Sequence, residues 1–323
     1  MNKNKKQVVF DHDGGIDDLL SLMFLLCMDE VELIGVCVTP ADCYPDDAVE
    51  STLKILAMFN QQDVPVTVGN IIGPNPFPGD WRAQPRLCRA LPAFLRTEAD
   101  YSQLKPEPAH QWLEALLMNA EVPVTILMTG PASNLAKTVT HNPGLKAKIS
   151  RVIWMGGAVE VRGNVAMHDH DGSAEWNAYW HPQATYDLLS AELPLVVVPL
   201  DATNRLPVSW PFLAELAKIK TPLAELAGQC WAATVTAIPA YEFTYFMWDV
   251  LATSLLTIDE RALTIQAGYL TASVTTPDAG RMSVAPAGKG FACQWLTDVD
   301  ADAVINYLFE LLQTKKAVKL SFC

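Results

Sequence analysis

Four carboxylates fall within eight residues in Asp11-His12-Asp13-Gly14-Gly15-Ile16-Asp17-Asp18. Charges this close repel unless a cation joins them, and oxygen-only ligands suit a hard divalent ion, calcium or magnesium, better than zinc or copper. An ordinary explanation covers part of the cluster. Acids are common in the first turn of a helix and Asp-Gly pairs in turns, which accounts for two of the four. All four together point to a metal or catalytic centre.

The elements that must position these acids can be read on either side of them. Val8-Val9-Phe10 is a short apolar strand, Gly14-Gly15 a turn, and Leu19 to Met28 a long apolar helix, so Asp11 and Asp13 end the strand while Asp17 and Asp18 open the helix. There the free N–H groups and the helix dipole favour negative charge. Further strands are expected at Val31 to Val38, Val64 to Val68, Val122 to Met128, Arg151 to Met155 and Leu195 to Leu200, with a helix over Asp46 to Phe59. Strands alternating with helices predict an α/β fold, a Rossmann-like and mostly parallel central sheet covered by helices, with residues 1–323 as one domain. Ligands of such sheets bind beyond the carboxyl ends of the strands. Asp42, Thr129-Gly130-Pro131, Gly156-Gly157 and Asp201 to Asn204 all fall at that rim, though each alone reads as a polar turn.

Two stretches interrupt the alternation. Gly73 to Pro108 is rich in proline and carries Phe77 and Trp81, the composition of a lid or binding loop; Ala237 to Trp248 is dense in aromatics, some expected in the core and some as stacking faces. Beyond them the pattern predicts a helix at Val250 to Leu256, a hairpin around Thr264 to Val284, and a closing helix that starts at Thr297-Asp298-Val299-Asp300.

The chain has 323 residues, half of them hydrophobic, and a net charge of −13. That balance, with no basic run, argues against nucleic acid as a partner and against phosphorylated substrates at a carboxylate cluster. No apolar run is long enough to span a bilayer, and the apolar stretch after Lys3, Lys5 and Lys6 is too short for a signal peptide. Seven widely spaced cysteines, an odd number, read as reduced thiols of a cytoplasmic protein. A neutral small molecule is the expected substrate class.

With its Asp-x-Asp-x-Gly-x-Asp-Asp start, the chain resembles the inosine-uridine nucleoside hydrolase family. Thr129-Gly130-Pro131-Ala132-Ser133-Asn134, Met155-Gly156-Gly157-Ala158, Gly163-Asn164, Glu175-Trp176-Asn177 and Trp248-Asp249 follow as further family-like motifs in family order. The resemblance implies hydrolysis of the N-glycosidic bond of ribonucleosides with a bound calcium ion. It implies Asp13, Asp18, the Thr129 carbonyl and Asp249 as calcium ligands, Asp13 also as the base that deprotonates water, and Asp17, Asn164, Glu175, Asn177 and Asp249 as ribose ligands. Glu175 and Asn177, read as alternate residues of an extended segment, would point one way and Trp176 into the core.

Trp248 stands where the pyrimidine-accepting branch has a histidine, so the chain is more similar to the purine-specific branch. That branch implies Trp81 and Trp248 stacking on a purine, Asp42 at its edge, and a homodimer. Gly14 departs from the family's usual proline and is expected to loosen the turn, and Ala237 to Met247 lacks the basic residues of purine-specific relatives. His168-Asp169-His170-Asp171 has no family parallel and reads as a solvated loop rather than a second metal site. Two other classes fit parts of the pattern: a non-catalytic nucleoside-binding protein, and a magnesium-dependent phosphatase, whose sites also begin Asp-x-Asp after a strand.

Overall fold

The computed structural model describes residues 5–237 and 244–313. Its strands are β1 (Lys6–His12), β2 (Val31–Val38), β3 (Val66–Val68), β4 (Val124–Met128), β5 (Ile149–Met155), β6 (Leu195–Val198), β7 (Leu263–Ala272), β8 (Met282–Val284) and β9 (Phe291–Val299). Among the described residues they form one sheet in the order β3-β2-β1-β4-β5-β6-β9-β7-β8. From β3 to β9 neighbours run parallel, and β7 and β8 close the sheet antiparallel. The order reverses between β1 and β4. At such a switch point the loops leave the sheet in opposite directions and open a crevice.

Helix α1 (Ile16–Cys27) is buried at every position, because it lies between the sheet and later helices rather than on the surface. That explains an apolar run without a polar face. Helix α2 (Pro45–Met58) starts with proline in its first turn and buries Leu53, Ile55 and Leu56 in the same core. A second core lies on the opposite face of the sheet, where Leu113 and Leu117 meet Leu135 and Val139.

The expected fold and hairpin are borne out, with corrections. Thr297 and Asp298 are not a helix start: they end β9, whose Trp295 and Leu296 are buried, and only Asp300 caps the last helix by accepting from the Ala303 N–H. Gly14 does not loosen its turn. It sits at φ +93°, a conformation closed to proline, and an added Cβ would lie 2.5 Å from the Ala48 Cβ. Glycine here lets the acidic turn press against α2. No described helix is long and apolar enough to cross a membrane. The six described cysteines are buried and none of them is in a disulfide.

Candidate active site

At the switch point a cavity of about 370 Å³ opens, and the residues expected at metal, ribose and base all line it, whereas Asp11 and Asp201 do not. Asp13, Asp17 and Asp18 come from the β1–α1 turn, Asp42 from the end of β2, Thr129 from the end of β4, and Asp249 from the helix Trp248–Ser254. Asp18 is held on two sides, accepting the Gly15 N–H at 2.7 Å and the Thr129 hydroxyl. Asp13 accepts the Asp42 N–H at 3.1 Å. The Tyr245 hydroxyl donates to Asp17 at 2.7 Å, and the Asp249 N–H approaches the other Asp17 oxygen at 3.5 Å.

Asp11 does not join them. Its carboxylate is buried beneath the site, where it accepts from the Thr39 hydroxyl at 2.8 Å and, on both its oxygens, from the Asn134 amide nitrogen at 3.2 and 3.1 Å. Burial pushes its pKa up to about 7 even so. Asp42 and Asp249 join the floor instead, the latter supplied from far along the chain. Because Asn134 also donates to Thr39, Asn134→Ala should strip a buried acid of its amide and cost about 2 kcal/mol of stability in denaturant unfolding. An unchanged midpoint would show that the Asp11 bonds carry no net stability.

The residues expected at the ribose stand on the other wall. Glu175 and Asn177 are not alternate residues of an extended segment: Glu175 caps the short helix Trp176–Trp180, accepting from the Asn177 and Ala178 N–H groups, and Asn177 lies in its first turn. A third bond, from the Gly157 N–H at 2.8 Å, fixes the carboxylate further. Asn177 donates to the Thr129 carbonyl at 2.7 Å and the Met155 carbonyl at 3.2 Å, so β4, β5 and this helix meet at one amide. Asn164 accepts the Trp176 N–H at 3.1 Å.

Aromatic rings form the upper wall in two groups. Trp176 is buried as expected yet also lines the cavity; it stacks on Phe77 at 5.0 Å and meets Trp81 edge-on at 5.4 Å. Trp248 packs against Tyr245 at 4.7 Å and Phe246 at 5.8 Å. Sequence reasoning named Trp81 and Trp248 but missed Phe77 as a pocket residue, and Tyr245 altogether. No local signal marks Tyr245; its role rests on a contact across 228 positions. Residues 238–243 of the aromatic stretch, and with them most of the segment without basic residues, lie outside the described residues.

Two sequence features are structural. His170 is fully buried, with Nδ1 accepting the Gly172 N–H at 3.0 Å, so Nε2 carries the proton and donates to the Ala279 carbonyl at 2.9 Å. The loop is pinned at His170, while His168, Asp169 and Asp171 are exposed as expected of a solvated loop. Asp201 accepts the Val159 and Glu160 N–H groups and shapes a loop.

The electrostatics of the floor are one-sided. Burial first, and neighbouring carboxylates second, push Asp13, Asp42 and Asp249 well above the usual carboxylate range and Asp17 up to about 6. No lysine, arginine or histidine lines the cavity among the described residues. No three acid, histidine or cysteine side chains of the described residues stand in a finished metal-binding group; the acids meet through hydrogen bonds instead. The donor chemistry nonetheless fits a hard cation: buried carboxylate oxygens and a carbonyl, with the charge of Arg82 reaching Asp42 from outside the cavity.

The inosine-uridine preferring nucleoside hydrolase family model matches residues 8–306. In structure, the chain is similar to an inosine-uridine preferring nucleoside hydrolase from Bacillus anthracis, 34% identical, with a TM-score of 0.87 over 95% of this chain and 99% of that one. A purine-preferring ribonucleoside hydrolase from Gardnerella vaginalis, 19% identical over 95% and 99% of the two chains, shares the fold with a TM-score of 0.78. By sequence, a pyrimidine-specific ribonucleoside hydrolase of Klebsiella pneumoniae is 26% identical over 69% of each chain. The match spans β1 through the closing helix and takes in the acid floor, the sugar wall and both aromatic groups: the chain belongs to the inosine-uridine preferring nucleoside hydrolase family.

Proposed function

We propose that the chain hydrolyses the N-glycosidic bond of purine ribonucleosides, releasing free base and ribose in a calcium-dependent reaction. The observation that carries this reading is one cavity with two chemistries, an anionic floor and an aromatic upper wall. A nucleoside has the same division, a polyhydroxylated sugar and a flat base.

Asp13, Asp18, Asp249 and the Thr129 carbonyl are the proposed calcium ligands. Bound there, calcium supplies positive charge that orients a water and lowers its pKa. Asp13 takes the proton as the water oxygen attacks the anomeric carbon, and the electron pair of the glycosidic bond leaves with the base nitrogen. Its raised pKa suits a base, since the carboxylate gains from taking a proton. Asp17, Asn164, Glu175, Asn177 and Asp249 hold the ribose hydroxyls. Glu175 has three backbone donors on its two oxygens and keeps lone pairs for a hydroxyl. Negative charge under the ring counts most as the sugar becomes cationic, so these contacts favour the transition state.

Trp81 and Trp248 are the proposed stacking faces for the base, with Asp42 at its edge. Trp248, in place of a histidine, leaves the residue before Asp249 without a proton to give, so help to the departing base must come through stacking. Trp248→Ala should therefore lower kcat on purine nucleosides about 100-fold with KM changed far less. A change in KM alone would reduce Trp248 to binding.

A pyrimidine reading has its own support, since pyrimidine-specific hydrolases are among the sequence relatives. The test is base release from inosine, guanosine, adenosine, uridine and cytidine, with calcium and with chelator. Calcium-dependent release from purines alone supports the proposal, and equal release from uridine overturns the purine assignment. Binding without release would leave a nucleoside-binding protein. The same resemblance carries a homodimer as the expected assembly.

A further inference from the structure

We infer that Tyr44, Arg82, Arg86 and Asp47 form a clasp outside the cavity that sets the position of Trp81, and so tunes recognition of the base by residues that never touch it. This rests on the reading of the aromatic wall as the base site. Trp81 stands in the turn Pro78 to Ala83, where the Trp81 N–H donates to the Pro78 carbonyl at 3.1 Å and the Arg82 N–H to the Gly79 carbonyl at 3.3 Å. The Trp81 ring packs on Phe77 and Trp176, and the backbone that carries it needs a hold of its own.

What fixes it lies just beyond Trp81. The Arg82 guanidinium carbon stands 4.8 Å over the Tyr44 ring and that of Arg86 5.6 Å, so one ring holds two cations. The Tyr44 N–H donates to the Arg82 carbonyl at 3.0 Å. The buried Arg82 Nε has no hydrogen-bond partner among the described residues, which leaves the ring face as its main attachment. In the short helix Gln84–Arg89, Arg86 pairs with Asp47 at 2.7 Å, and Arg89 reaches both Asp47 and Glu50 of α2. Asp47 is only 9% exposed while Arg86 is 61% exposed, so the anchor is rigid and its grip is open to solvent.

The position of Tyr44 makes the clasp relevant to the site. It follows Asp42 by two residues, and the Asp42 N–H is bonded to Asp13, so the same loop meets the acid floor at one end and the Trp81 turn at the other. Arg82 also sets its charge against Asp42. Loosening the clasp frees Trp81 without removing any group that faces the sugar.

The experiment compares Tyr44→Leu, Tyr44→Phe and Asp47→Asn with the wild type by hydrogen exchange of residues 79–90, by KM and kcat for the best nucleoside, and by competitive inhibition with ribose. Tyr44→Leu and Asp47→Asn should speed exchange in that segment and raise KM, each about tenfold, on the scale of one cation–π contact or exposed charged pair. Tyr44→Phe keeps a ring face and should behave as wild type. Inhibition by ribose should not move in any variant, because ribose meets only the acid side. Faster exchange with unchanged KM overturns the tuning of recognition, and unchanged exchange in both Tyr44→Leu and Asp47→Asn overturns the clasp. Should the wild type release base from no nucleoside, the reading of the pocket falls, and the exchange data still decide the clasp.

Discussion

Asp13→Asn is expected to lower kcat by about three orders of magnitude, the scale of a positioned general base, while the protein folds and melts normally. Asparagine is chosen over alanine for a physical reason. It fills the same space and keeps an oxygen for the Asp42 N–H, so the variant removes charge and basicity without opening a cavity against Gly130. Stability should not suffer. Asp13 is buried, and burial with its neighbours Asp18 and Asp42 raises its pKa, so a neutral side chain relieves repulsion. The loss should fall on kcat, since the proton moves only in the transition state. Rates followed by base release, with circular dichroism and a melting curve as controls, decide it. Activity within a few fold of wild type would remove Asp13 as the base.

How much of this was legible in the sequence depends on how local each contact is. The turn from β1 to α1 carries three floor acids on one short segment, and their spacing alone announced a site. The rim rule then gathered Asp42 and Thr129 correctly, because parallel strands all end on one side. Asp11 was misassigned because its partners, Thr39 and Asn134, lie 28 and 123 positions away and draw it beneath the floor. Glu175 was read as extended since a five-residue helix leaves no periodic pattern to detect. Asp300 is the true cap, but two acids flanking Val299 made the end of β9 look like a helix start. Tyr245 could not be seen at all, because its hydroxyl matters only once two distant segments meet.

Chelation is expected to abolish base release, with calcium restoring it better than zinc. The argument is the charge balance of the floor. Asp13, Asp17, Asp42 and Asp249 are buried together and no basic residue among those described lines the cavity, so protons or a bound cation must offset most of their charge. Protons and calcium then compete for the same oxygens. An acid whose pKa is raised on folding holds its proton to higher pH, so calcium affinity should rise with pH as the ligands Asp13 and Asp249, held well above the usual carboxylate range by burial, ionise. At lower pH calcium must displace protons and binds more weakly. The cation should also stabilise the fold by mass action, about 2.7 kcal/mol at a hundred times its Kd. Calorimetric titration with calcium at several pH values, beside melting curves with and without chelator, reads both effects. A calcium affinity that ignores pH would mean that Asp13 and Asp249 are not its ligands, and zinc restoring activity as well as calcium would mean that the oxygen donors do not select the ion.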